Sequence, residues 1–176
     1  MIKTRPLSLE DISEITKETR ELFHIKPEEF FPIFDVLKIL TLINELNLQV
    51  IDNSSPLLSD NEPAAYNAYE NFIYIKEEVL DEYDSGDYRS SFTLCHEFAH
   101  FLQAQWLKFD FYECDKCMPY EDVEWQANEI AGQLLVPDKF LSLDGATISK
   151  QFHVSLECAL TRKVKLKRRL QKKFNT

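Results

Sequence analysis

Five residues constrain this chain more than any other feature. In the stretch FTLCHEFAHFLQ, residues 92–103, His96, Glu97 and His100 stand in the order H-E-x-x-H. On a helix, side chains four positions apart share a face, so both imidazoles can reach one metal ion. Glu97, next to the first His, can reach a water on that ion. The spacing thus supplies two metal ligands and one base within five residues. A chain with four His and this many acids would show the pattern by composition alone only about 0.01 times. The plain alternative is an exposed helix with two unrelated His and a solvated Glu.

The rest of the sequence frames that helix. Ser8 is a fair cap, with Glu10 and Asp11 in the first turn, for a helix over about 9–24 that Pro27 ends. An apolar stretch over 34–46 predicts a buried second helix. LQVID, AAYNA and FIYIK read as short strands, with Glu70-Asn71 as a hairpin connection between the last two. Residues 84–87, DSGD, break the chain, and Asp87 can cap the motif helix, expected over 88–107. An irregular stretch over 108–120 holds C-D-K-C. A helix over 121–135 then ends at Pro137, and two more follow near 146–152 and 155–173. The expected fold is therefore α+β and helix-rich, with a small, mostly antiparallel three-stranded sheet and a C-terminal helix pair. With no repeat or linker, residues 1–176 read as one domain. Its parts are 1–87 with the early helices and sheet, 88–137 with the metal-site helices, and 138–176 with the helix pair and a basic tail.

Charge and cysteine usage narrow the function classes. Eight of the 20 Lys and Arg lie in 161–176, which holds no acid, so the other 160 residues carry twelve bases against 30 acids, a net of −18. Such a body repels phosphate backbones, which argues against nucleic acid as the main partner. No apolar run approaches the roughly 20 residues of a membrane span, and the start MIKTRPLSLEDISEI lacks a secretory h-region. Cys95, Cys114, Cys117 and Cys158 do not form a disulfide framework in a chain of this length. These features favour the cytoplasm.

A catalytic zinc site takes three protein ligands and keeps one position open. Glu124, on the helix after the motif, is the better-placed third ligand. Asn128 lies one turn on and could hydrogen-bond a ligating His from outside the coordination sphere. Glu129 competes, but it sits about 140° around the same helix, so only one of the two can face the metal.

The stretch F-T-L-C-H-E-F-A-H, followed by E-W-Q-A-N-E-I-A-G-Q-L-L-V-P, resembles the ImmA/IrrE family of metallo-endopeptidases, whose second motif runs E-x-x-A-N-x-F-A-x-x-L-L-x-P. Glu124 stands at that motif's glutamate, Ala127 and Asn128 at its A-N pair, and Leu134, Leu135 and Pro137 at its end. The resemblance implies a zincin-like fold in which His96, His100 and Glu124 bind the metal and Glu97 is the catalytic base. It is motif-specific over about 92–137 and loose elsewhere. Ala99, Ile130 and Val136 depart from the family's usual Gly, Phe and Met, leaving the ligands intact. The resemblance also implies a protein substrate, a helix-turn-helix repressor or antitoxin-like partner.

Zn2+ is the first choice for such a site, with Mn2+ and Fe2+ suited to the same donors. A donor to the developing oxyanion is not singled out, and Tyr112, Tyr120, Arg89 and His153 are the candidates. Cys114 and Cys117 read first as ordinary thiols. A second metal site would need Cys95, Cys158 or His153 beside them, and a redox pair is the other option. Two rivals to an enzyme remain. One is a metal-binding module that holds a regulator without cutting it. The other is a DNA-binding regulator using the helix pair at 148–163, although Leu156, Leu160, Val164, Leu170 and Phe174 give its last helix an apolar side to bury.

Overall fold

The first helix, α1 (Leu9–Leu22), begins where its cap residues put it. Ser8 Oγ accepts from Asp11 N–H at 3.0 Å and Asp11 Oδ2 accepts from Ser8 N–H at 2.7 Å, a reciprocal capping box. Helix α2 (Ile33–Leu42) buries Ile33, Val36, Leu37 and Leu40 but leaves Ile39 and Leu42 exposed, so the apolar stretch is buried on one face only, and it stops short of residue 46. The computed structural model describes residues 1–174 and the side chains of residues 1–167. Leu170 and Phe174, expected on a buried side of the last helix, lie outside the described side chains.

A short β1 (Ile2–Lys3) precedes α1, and the three strands read from the sequence are β2 (Asn47–Ile51), β3 (Ala64–Asn67) and β4 (Phe72–Lys76). They form one sheet in the order β2-β4-β3. The β3–β4 pairing is the expected antiparallel hairpin, while β2 runs parallel to β4, with Asn47 opposite Phe72 and Ile51 opposite Lys76. The sheet is therefore mixed. The loop after β2 carries the chain past the central strand to its far edge, so β2 and β3 never pair. Ile73 and Ile75 in β4 are fully buried, which places the most apolar strand in the middle.

Helix α3 (Glu77–Ser85) follows β4 directly and closes on Gly86, whose φ of 81° is the left-handed conformation that glycine adopts without a Cβ penalty. Helix α4 (Arg89–Phe101) carries the motif. Tyr88 takes the N-cap position without a side-chain capping bond, and Asp87, one residue earlier, accepts from Arg89 N–H through Oδ1 at 3.0 Å. The helix continues as a π-helical turn over Leu102–Trp106. The sequence gives no sign of the next strand, β5 (Tyr112–Glu113), which pairs antiparallel with β1. Helices α5 (Val123–Leu135), α6 (Gly145–Phe152) and α7 (Leu156–Phe174) complete the chain.

Helix α4 packs on α5, and α1 covers another side of α5. Leu94, Phe98 and Phe101 turn inward from α4 with no exposure. The Phe98 and Phe101 rings stack at 5.9 Å, and Trp106 meets both edge-on. Ala99, Ile130 and Val136, the positions that depart from the family pattern, are all fully buried. One apolar cluster extends from Leu7 to Ala159. Among the described residues no helix is long and apolar enough to cross a membrane.

The last helix turns differently from the expected way. Leu156, Leu160 and Val164 are 52%, 48% and 48% exposed, while Ala159 and Arg162 are buried. Charge decides this orientation. Glu129 on α5 is buried, and it accepts from Lys165 Nζ at 2.5 Å and Arg162 at 3.4 Å. Arg162 also pairs with Asp138. Gly132 makes room for it, since a Cβ there would lie 2.8 Å from Arg162 Cδ.

Candidate metal centre

The motif helix presents two stripes. Leu94, Phe98 and Phe101 enter the core, and His96 and His100 face a cleft of about 700 Å³ between α4, α5 and the edge of β3. Helix α5 starts at Asp122, whose Oδ1 caps Trp125 N–H at 3.0 Å, so its first turn brings Glu124 over the same cleft. Glu124 Oε2 lies 3.2 Å from His96 Nε2 and its Oε1 lies 3.4 Å from His100 Nε2. The two Nε2 atoms are 3.1 Å apart. Bonds of about 2.0–2.2 Å in a tetrahedral zinc site require donor atoms roughly 3.3 Å from one another. One ligand atom from each of the three side chains lies within 4.8 Å of the others, with one Glu124 oxygen turned to each His, an arrangement that could hold a divalent ion. Two neutral imidazoles with lone pairs facing at this distance repel, so the site calls for a cation or a proton between them. Among the described residues, His96, His100 and Glu124 are the one cluster that gathers three such donors.

Glu129 lies on the opposite side of α5, bonded to α7, as the angle between the two glutamates requires. Glu97 lies buried beside the His pair, and its Oε2 accepts from the backbone N–H of Tyr66 in β3 at 2.8 Å. Burial pushes its carboxyl pKa up, against the pull of His100 and His96.

Asn128 lines the cleft but donates to the Glu124 carbonyl at 2.8 Å, because that carbonyl is one helical turn behind it. His96 Nδ1 is buried without a partner. The side chain that holds a His is instead Gln103, unforeseen in the sequence, whose Oε1 lies 3.2 Å from His100 Nδ1. Its three-residue spacing from His100 was the available signal.

None of Tyr112, Tyr120, Arg89 and His153 lines the cleft. Tyr112 lies in β5 and Tyr120 in the 3₁₀ turn before α5. Arg89 borders a separate groove against α7. His153 stacks on Phe30 at 4.5 Å and on Tyr88 at 5.2 Å. Polar side chains that do line the cleft include Asn61, Thr93 and Asn128. The thiols of Cys114 and Cys117 sit together in the loop after β5, Cys117 Sγ lying 3.8 Å from Asp122 Oδ2. A hydrogen bond with Cys114, then burial, pushes the Cys117 thiol up to about 11. Cys95 is buried in α4 and Cys158 lies on α7, so neither stands on the loop that holds the pair.

The chain matches the family model of the IrrE N-terminal-like domain, Peptidase_M78, over residues 54–163. It belongs to that family. The match covers both motifs and every residue of the metal-site cluster. A metallopeptidase-type function is what an IrrE N-terminal-like domain brings. No curated protein matches the chain. Among solved structures, a Mycobacterium tuberculosis transcriptional regulator shares the fold with a TM-score of 0.57 at 13% identity, covering 86% of this chain and 55% of that one. This IrrE N-terminal-like chain thus spans about half the length of that structure, and the likeness is one of fold.

The same geometry sets a pH dependence. Hydrogen bonds from His100 and His96 hold the exposed Glu124 carboxyl well below the carboxylate range. Burial works to lower the His100 pKa, but Glu124, Glu97 and Gln103 together raise it. Glu124 then stabilises the metal-free fold above about pH 4.3 and loses this as pH falls through its folded value, while His100 stabilises it below about pH 6.5 and loses this as pH rises through its folded value. The metal-free chain gains most between those limits. Protons compete with metal for His100, so the rise in melting temperature on adding zinc grows with pH and fades in acid. Thermal melts with zinc and with chelator, across that range, check both arms.

Proposed function

We propose that the chain is a zinc-dependent endopeptidase that hydrolyses a peptide bond in a specific regulatory protein. The placement of Glu97 carries the reading. A purely structural metal site has no use for a carboxylate buried beside two imidazoles and open to a substrate-sized cleft. Tyr66 N–H points away from β4 to reach Glu97. Ala64, two residues back, turns its N–H and carbonyl the same way, so the outer edge of β3 offers backbone groups to an extended peptide. Such a strand would lie with one of its peptide bonds against Glu97.

A divalent ion held by His96, His100 and Glu124 would supply Lewis-acid chemistry, acidifying a water and polarising the substrate carbonyl. Glu97 takes the proton from the attacking water and hands it to the leaving amine. The Tyr66 N–H fixes one Glu97 oxygen, so the other is free for that transfer. His96 and His100 oppose the rise that burial imposes on the Glu97 carboxyl, and burial prevails, which suits a group that must carry the water's proton to the amine. Zinc suits two imidazoles and a carboxylate with an open position, and Mn2+ or Fe2+ satisfy the same donors. A helix-turn-helix repressor or antitoxin-like protein in the cytoplasm is the partner class this reading favours.

The test needs no knowledge of that partner. Zinc-loaded protein is incubated with the native proteins of the cells that make it, so that its own partner is present, and new termini are read by mass spectrometry. New termini that vanish with chelator and in Glu97→Gln are expected. Termini that persist in Glu97→Gln would contradict hydrolysis at this site and favour a silent metal-binding module.

A further inference from the structure

We infer that Gln103 and Gln126 form an amide relay that fixes the protonated nitrogen of His100 and so aims its free lone pair at the metal position. The inference rests on reading His100 as a metal ligand. Both amides are fully buried. Gln126 Nε2 donates to the carbonyls of Arg5 and Tyr120, each at 2.8 Å. A carbonyl only accepts, so both hydrogens of that amide are committed and Gln126 Oε1 must act as an acceptor. Gln103 Nε2 donates to it at 3.1 Å and to the Val123 carbonyl at 3.3 Å. That commits both hydrogens of the second amide in turn. Gln103 Oε1 is left as an acceptor facing His100 Nδ1 at 3.2 Å. The hydrogen in that contact must come from His100. Neutral His100 therefore carries its proton on Nδ1, and Nε2, the atom turned toward Glu124 and His96, keeps its lone pair.

Three backbone carbonyls thus dictate a tautomer several bonds away. Two of them belong to the place where the N-terminal segment docks. Leu7 N–H donates to the same Tyr120 carbonyl at 2.9 Å, and Thr4 N–H donates to the Glu121 carbonyl at 2.8 Å. The segment before α1 therefore takes part in orienting a metal ligand. The π-helical turn at Leu102–Trp106 carries Gln103, and such turns often re-aim a side chain at a functional site.

Gln103 and Gln126 are positioning residues, and the test reads the tautomer directly. Side-chain ¹⁵N spectra of metal-free protein are recorded at alkaline pH, where His100 is neutral. In wild type, His100 shows the Nδ1–H pattern. In Gln103→Leu it shifts to Nε2–H, whose hydrogen faces the Glu124 carboxylate, and zinc affinity falls roughly 10- to 100-fold. Gln126→Leu leaves Val123 alone to orient Gln103 and falls between wild type and Gln103→Leu. An unchanged Nδ1–H pattern in Gln103→Leu would overturn the relay. Wild-type affinity in Gln126→Leu would remove Gln126 from it. Failure here leaves the metal site standing if wild type binds zinc. A chain that binds no zinc would fail the functional reading while the tautomer result still stood.

Discussion

Glu97→Gln slows peptide-bond cleavage by roughly 100- to 10,000-fold, the usual contribution of a positioned general base. The amide has the shape of the carboxylate and keeps an oxygen for the Tyr66 N–H, so the fold and the cleft persist. It cannot accept the water's proton at neutral pH. Metal binding survives, because Glu97 is not among the three side chains that gather their donors in the cleft. The loss therefore falls on turnover, with metal stoichiometry unchanged. An equal loss in Glu97→Gln and in a metal-free sample, with metal gone from both, would mean that Glu97 acts by holding the site together.

The second large effect falls on stability. Arg162→Leu costs about 1–3 kcal/mol, because it takes one of two cations from the buried Glu129 and the partner cation from Asp138. Glu129 is 1% exposed and keeps Lys165 at 2.5 Å. Replacing Glu129 together with Arg162 by apolar residues removes the buried carboxylate and leaves only the part-exposed Lys165 and Asp138 unpaired, so the double variant loses less than the sum of the single losses. Urea denaturation of the two single variants and the double variant measures this. Additive losses would show that Arg162 acts through packing over Gly132 and not through Glu129. The pair ties the C-terminal helices to α5, whose first turn holds Glu124, so the effect reaches the cleft as well as the core.

Much of the site was legible because its chemistry is local. Four-residue spacing fixed the faces of His96 and His100 on one helix, and five steps of the helical repeat separated Glu124 from Glu129. Both inferences depend only on the geometry of a single element. Where contact between distant segments decides, the sequence was silent. Gln103 and Gln126 are 23 residues apart and neither carries a motif. The parallel pairing of β2 with β4 depends on where a long loop deposits the chain. Strands β1 and β5 have two residues each, too few for any alternation to show. Helix α3 was hidden by its composition, since EEVLDEYDS has few apolar positions and buries only Val79. The orientation of α7 went the other way from its apolar pattern. Leu156, Leu160 and Val164 suggested a buried stripe, but a buried glutamate on α5 turned Arg162 and Lys165 inward instead. Long-range charge pairing outweighed local periodicity there.

The most direct measurement is metal content per chain, on wild-type protein and on His100→Ala. One equivalent of zinc in wild type and none in the variant is the result that a centre built from His96, His100 and Glu124 requires. No metal in wild type, even after incubation with zinc, would contradict it and leave the His pair as part of a packed helix with no catalytic task.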